Sequence, residues 1–270
     1  MCMKVLLTKE KCRERQLAIL SEVAKLCDKF SIQYSLAYGS LIGAVRHKGF
    51  IPWDDDIDIL LLRKDYERLK NELKKQKDVP WMEMLEEATE VNVFPYIKVI
   101  DNRTLVKADD NNASHGIWID VFPIDNLPDN PLVRKLFLYK CVLKRAMVLS
   151  SITDFSSQNL GKKAIVKKFL CHVVRVIGQK KVVESYNRTV VRYENKDTKY
   201  VGCLSSAYIE KESMERSVYE GTVPLEFDGH TFSCLKNYDR YLSHLYGSYM
   251  QLPPEEKRKT HEIIAWSIDD

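Results

Sequence analysis

The chain has 270 residues, 45% of them apolar, and its 42 Lys/Arg against 38 Asp/Glu leave a formal net charge of +4. That length and composition suit a globular protein with a real core. The few apolar residues before Thr8 are too short a run for a signal peptide, and no apolar run approaches the roughly 18 residues of a bilayer span, so a soluble, cytoplasmic protein is expected.

Thr8 is a candidate N-cap for an amphipathic helix to about Phe30, with apolar residues at Leu17, Leu20, Ala24 and Cys27. A short strand over Tyr34–Tyr38 ends in Gly39-Ser40, and Leu41 to Val45 suits one or two helical turns. Gly49 and Pro52 make His47 to Trp53 a loop, beyond which Ile57 to Leu62 is a strand and Asp65 to Lys77 an exposed helix. Strands follow at Tyr96–Ile100, Thr104–Lys107 and Ile117–Val121, the last entering a Pro-rich loop through Pro123 and Pro128. Leu132–Leu149, Lys162–Ile177 and Lys181–Glu194 read as helices. Asp228-Gly229 at the centre of Val223–Leu235 signals a hairpin with a type I′ turn. A helix over Lys236–Tyr246 and a last helix starting at Pro253-Pro254 complete the chain. Together these give a mixed α/β fold over residues 1–270, a mixed β-sheet flanked by helices, with a helical basic subdomain at about 130–195.

Charge is unevenly spread. From Pro131 to Val183 there are twelve Lys/Arg and one acid, Asp154, a net +11 that leaves −7 for the rest of the chain. The basic stretch from Lys162 to Arg175 mixes cations and aliphatics, as a peripheral contact with an anionic membrane does, and equally as a packed helix with a solvated face does. No aromatic interleaving accompanies the charge, so no nucleic-acid partner is expected. The seven cysteines are scattered without a C-x-x-C pair and read as ordinary thiols.

The chemistry points to the run Asp54-Asp55-Asp56-Ile57-Asp58. On a strand Asp56 and Asp58 share one face while Ile57 and Ile59 turn into the packing behind. Two carboxylates crowded this way repel each other unless a cation offsets them, and a hard divalent ion is the natural one: magnesium, or manganese. Asp54 and Asp55 read as shaping the approaching loop. Gly39-Ser40 suits an anionic phosphate at a helix N-terminus. Asp120, a lone acid in the apolar run from Ile117 to Phe122, is either a third metal ligand or a cap on the Pro123 turn. Arg46, His47 and Lys48 offer positive charge to phosphates, or balance the acidic loop, and Lys98, a lone cation flanked by apolar residues, is a candidate contact for a nucleotide.

Tyr38-Gly39-Ser40-Leu41-Ile42-Gly43-Ala44-Val45-Arg46-His47-Lys48-Gly49-Phe50-Ile51-Pro52-Trp53-Asp54-Asp55-Asp56-Ile57-Asp58 resembles the signature of the LicD family of phosphotransferases, which is related to fukutin-type proteins. The resemblance continues through residues 116–125, and through residues 246–258 with His261-Glu262; Ser248 stands where the family usually has Asp. It implies a DNA polymerase beta-like nucleotidyltransferase core with Asp56, Asp58 and Asp120 as catalytic metal ligands and Gly39, Ser40, Arg46, Lys98 and Arg258 around the donor's phosphates. The implied reaction moves a phosphorylated alcohol, foremost phosphocholine, from a CDP-linked donor such as CDP-choline onto a sugar of a cell-surface glycan or its lipid-linked precursor. Two rivals share parts of this pattern: attack at the α-phosphorus of a nucleoside triphosphate with pyrophosphate release, and a non-catalytic module binding anionic lipid.

Overall fold

The computed structural model describes residues 4–87, 89, 91–107, 115–151, 171–258 and 263–268. The first helix, α1, spans Lys9–Lys29; the Thr8 hydroxyl accepts from the Lys11 N–H at 3.3 Å, as an N-cap does. β1 (Val5–Leu6) precedes it, β2 (Ser35–Leu36) follows, and the chain then turns through Tyr38 at φ +45° into α2 (Tyr38–Ile42) and a π-helical turn, Gly43–His47. The helical segment therefore begins three residues earlier than expected and includes Gly39-Ser40. π turns are rare and concentrate at functional sites.

β3 (Asp58–Leu62) leads into α3 (Arg63–Lys75), followed by β4 (Met82–Leu85), β5 (Ile97–Asp101), β6 (Thr104–Val106) and β7 (Ile117–Leu127). The expected loop at Pro123 is instead the middle of an eleven-residue strand. The Asp120 N–H donates to the Ile57 carbonyl at the entry to β3, so by alternation the missing N–H of Pro123 faces the other side. There β5 has ended, with Val121 opposite Ile97, and the next neighbour begins only at Asp125, so no ladder bond is lost.

The helical middle holds α4 (Pro131–Ser151), helical residues 171–177 and α5 (Gln179–Val190); residues 162–170 of the expected second helix lie outside the described residues. Short strands β8 (Tyr200–Gly202) and β9 (Met214–Glu215) come next, then the expected hairpin, β10 (Thr222–Phe227) and β11 (His230–Leu235), turning through Asp228 and Gly229, both at positive φ. After α6 (Tyr238–Tyr246) the expected last helix is a single 3-10 turn, Glu255–Lys257. Pro254 is extended (φ −51°, ψ 149°), and the chain returns in β12 (Ala265–Ser267) to pair between β1 and β6.

The main sheet runs β10-β11-β2-β3-β7-β5-β4, with β8 and β9 continuing from the far end of β7. β3 and β7 are parallel, while β5 is antiparallel to β7. Ile57, Ile59, Leu61, Ile119, Val121, Ile97 and Val99 are buried in the principal core, with α1 and α3 packed against this part of the sheet. A second, smaller core joins Phe137, Leu138 and Cys141 of α4 to Val182, Val183 and Tyr186 of α5. Among the described residues no helix is long and apolar enough to cross a membrane.

Candidate active site

Strand register assembles the site. Asp58 of β3 lies directly opposite Asp120 of β7, and Asp120 directly opposite Lys98 of β5, so the three side chains form one row across neighbouring strands. Lys98 Nζ sits 2.6 Å from Asp120 Oδ1 and 4.6 Å from the centre of the Trp118 ring. The sequence suggested nucleotide contact for Lys98; its partner in the structure is the third carboxylate.

Asp56 lies just before β3 and Ile57 is fully buried, so Asp56 and Asp58 meet on the row's side of the sheet. The loop that delivers them is held from behind by α1. Arg13 donates to the carbonyls of Ile51 (2.9 Å) and Asp54 (2.7 Å), and Gln16 to that of Asp55 (2.8 Å). Asp58 is pinned through its backbone: its N–H donates to Ser40 Oγ at 3.0 Å and its carbonyl accepts from the Ala37 N–H at 2.9 Å. Ser40 is thus fixed against the central aspartate, with its hydroxyl proton left for another acceptor.

The outer aspartates differ. Asp55 is buried and its carboxylate accepts from the Ile263 N–H at 3.2 Å, a structural role in keeping with loop shaping. Asp54 does more than shape the loop: its carboxylate lies so close over Gly39 that a Cβ there would overlap it, and it also hydrogen-bonds to Asp56. Oxygens from Asp54, Asp55 and Asp56 fall within 4.8 Å of one another. Burial, and then the neighbouring aspartates, hold the carboxyls of Asp56 and Asp58 well above the ordinary carboxylate range, with Lys98 pulling Asp58 back in part. So many carboxylates around one cationic side chain suit an all-oxygen set for a hard divalent ion, whose charge would restore their ionised forms.

The remaining expected residues flank this centre. Arg46 donates to the carbonyls of Tyr249 (2.5 Å) and Gln251 (3.2 Å), tying the π turn to the C-terminal motif. Arg258 lies over the Trp53 ring at 4.9 Å, with the edge of His47 on the same indole at 6.3 Å, so this stack adjoins Asp54. His261 and Glu262 lie outside the described residues.

Behind Gly39 lies a cluster that the sequence did not suggest. Glu212 is fully buried among the hydroxyls of Tyr38, Tyr219, Tyr241 and Ser206, with Tyr219 Oη 3.2 Å from its Oε2. Tyr38 begins the turn that carries Gly39 and Ser40, so this cage braces that turn from inside. No local pattern marks Glu212, because its partners come from four separate segments.

The profile for the LicD/FKTN/FKRP nucleotidyltransferase domain matches residues 31–139, which include every aspartate of the row. Over 263 residues the chain is 32% identical to the lipopolysaccharide cholinephosphotransferase LicD of Haemophilus influenzae, covering 93% of this chain and 96% of that protein. Shorter matches reach uncharacterized proteins of Rickettsia prowazekii (37% over 67 residues, 25% of this chain and 23% of the relative) and Rickettsia typhi (43% over 47 residues, 17% and 15%).

Proposed function

The chain belongs to the LicD family, and from that premise we propose that it is a transferase moving phosphocholine from CDP-choline to a sugar hydroxyl of a cell-surface glycan or its lipid-linked precursor, releasing CMP. The acceptor oxygen attacks the phosphorus that bears choline, and the bond from that phosphorus to the bridging oxygen breaks, so that CMP leaves with the bridging oxygen. The supporting observation is the Asp58–Asp120–Lys98 row facing Asp56 beside the Gly39-Ser40 turn, in a chain similar over nearly its whole length to a cholinephosphotransferase.

Asp56, Asp58 and Asp120 would hold magnesium or manganese, and Asp54 is close enough to add a ligand. Bound there, the ion supplies positive charge to the phosphoryl oxygens in a setting where catalysis is mostly positioning and electrostatics. The chain's own groups do the rest. Gly39 and Ser40 offer backbone N–H groups and a hydroxyl to the donor's phosphates, and one of the carboxylates in the row accepts the acceptor's proton. Lys98, which holds Asp120 in place, would also supply a cation beside the pyrophosphate linkage. The Trp53–Arg258 stack offers a flat cationic surface for the nucleotide.

The test is release of CMP from CDP-choline by purified protein with magnesium and a glycan acceptor. Acceptor-dependent CMP release that disappears in Asp58→Asn supports the reading. Pyrophosphate release from nucleoside triphosphates, with CDP-choline left intact, overturns it.

A further inference from the structure

α4 has two apolar faces where a helix on a protein surface needs one. Phe137, Cys141 and Val148 are buried against the second core. On the opposite side Leu132, Leu136, Tyr139 and Leu143 are 72%, 71%, 52% and 55% exposed. At roughly 100° per residue these four fall within an arc of about 60°. This is a regular stripe. Exposed Lys135 and Lys140 border it on either side, and α4 contains no acidic residue. The adjoining helical residues 171–177 add Val176, 76% exposed, and Ile177. Of the fourteen exposed large apolar side chains among the described residues, eight lie on these two helices.

We infer that this face of α4 docks on the surface of an anionic lipid bilayer, with the apolar stripe at the headgroup–acyl boundary and Lys135 and Lys140 reaching lipid phosphates. An apolar stripe flanked by lysines is the pattern of helices that lie in the plane of a membrane interface, where long cationic side chains keep their charge among the headgroups. Charge complementarity selects this occupant over a second copy of the chain. A two-fold interface through α4 would bring its lysines toward their own mates with no acid on the helix to offset them, whereas homodimer cores are depleted in lysine.

The position of the helix gives the docking a purpose. Val142, Ala146 and Leu149, beside the stripe, form one wall of a cleft of about 380 Å³ whose other wall includes Tyr208. The Tyr208 ring lies tilted against that of Tyr38, at the start of the Gly39-Ser40 turn, with centres 6.3 Å apart, and Arg145 of α4 lines the same cleft. A glycolipid held in the membrane under α4 would then present its sugar along this cleft. That role in delivery rests on the proposed function, while the docking itself does not.

The experiment is co-sedimentation of the full chain with vesicles of phosphatidylcholine alone and of phosphatidylcholine with phosphatidylglycerol. Wild type binds the anionic vesicles and releases at high salt; the double variants Leu136→Glu with Leu143→Glu, and Lys135→Glu with Lys140→Glu, bind at least about tenfold more weakly. Because all four residues are exposed, the variants retain the wild-type thermal transition and the same CMP release with a water-soluble glycan acceptor. Undiminished binding by either variant overturns the proposal. So does wild-type binding that is independent of phosphatidylglycerol, or a dimer in light scattering that Leu136→Glu with Leu143→Glu dissociates. Absence of phosphocholine transfer by wild type would sink the proposed reaction and leave the sedimentation result standing.

Discussion

Replacing Glu212 with Gln should remove one defined part of the pH dependence that the wild-type fold carries, the remainder coming from groups such as Asp56 and Asp58 that both proteins share. Burial raises the Glu212 carboxyl from 4.5 to about 7, against the opposing pull of the surrounding hydroxyls of Tyr38, Ser206, Tyr219 and Tyr241. An acid with a raised folded-state pKa stabilises the fold while it is protonated. Its contribution is complete below pH 4.5 and is lost as pH rises through 7. The interval corresponds to about 3 kcal/mol, which for a chain of this size moves the thermal midpoint by roughly 5–10 °C. The assay is thermal denaturation at a series of pH values from 4.5 to 8.5, with chelator present so that metal binding does not contribute. Wild type should lose stability across that window, and Glu212→Gln, neutral throughout, should lose about 3 kcal/mol less. Parallel curves for the two proteins would refute the reasoning, because Glu212 would then titrate normally and the tyrosine cage would not hold a neutral acid.

Three other outcomes follow from the site. Asp58→Asn should cost roughly a thousandfold or more in turnover while the chelated protein melts no lower than wild type, since the change removes one member of a mutually repelling group; thermal scans with chelator alongside CMP release check both halves. Lys98→Met leaves Asp120 without its ion-pair partner, so the metal-free protein should lose about 3–5 kcal/mol, and adding magnesium should raise its midpoint more than it raises that of wild type. Gly39→Ala should destabilise the chain by about 1–3 kcal/mol through overlap with the Asp54 carboxylate, and Asp54→Ala in the same chain should recover much of that loss in urea denaturation.

What the sequence made readable is what local chemistry determines. Thr8 caps α1, Asp228-Gly229 turns the hairpin, and Asp120 is conspicuous as an acid among Ile, Trp, Val and Phe, because each signal lies within a few residues of its effect. Pro123 misled for an instructive reason. A proline is tolerated in a strand when its missing donor faces a gap, and that gap exists only because β5 stops and β8 starts on either side of it. The final segment misled similarly. Acidic residues after two prolines look like a helix start, yet the chain is drawn back into extended pairing between β1 and β6.

Register explains why the site's most telling contact was out of reach beforehand. That Asp58, Asp120 and Lys98 are each flanked by apolar residues is written in the chain, but their alignment depends on residues 40 and 22 positions apart, on three strands, pairing at one offset. A shift by one residue would turn Asp120 to the face packed by α1 and α3, where a carboxylate is costly unless, like Asp101 and Asp125, it has an arginine to pair with. The apolar faces of β3, β5 and β7 therefore fix the register. In fixing it they force the three charges together on the only side left, so that the packing which stabilises the sheet also builds the site.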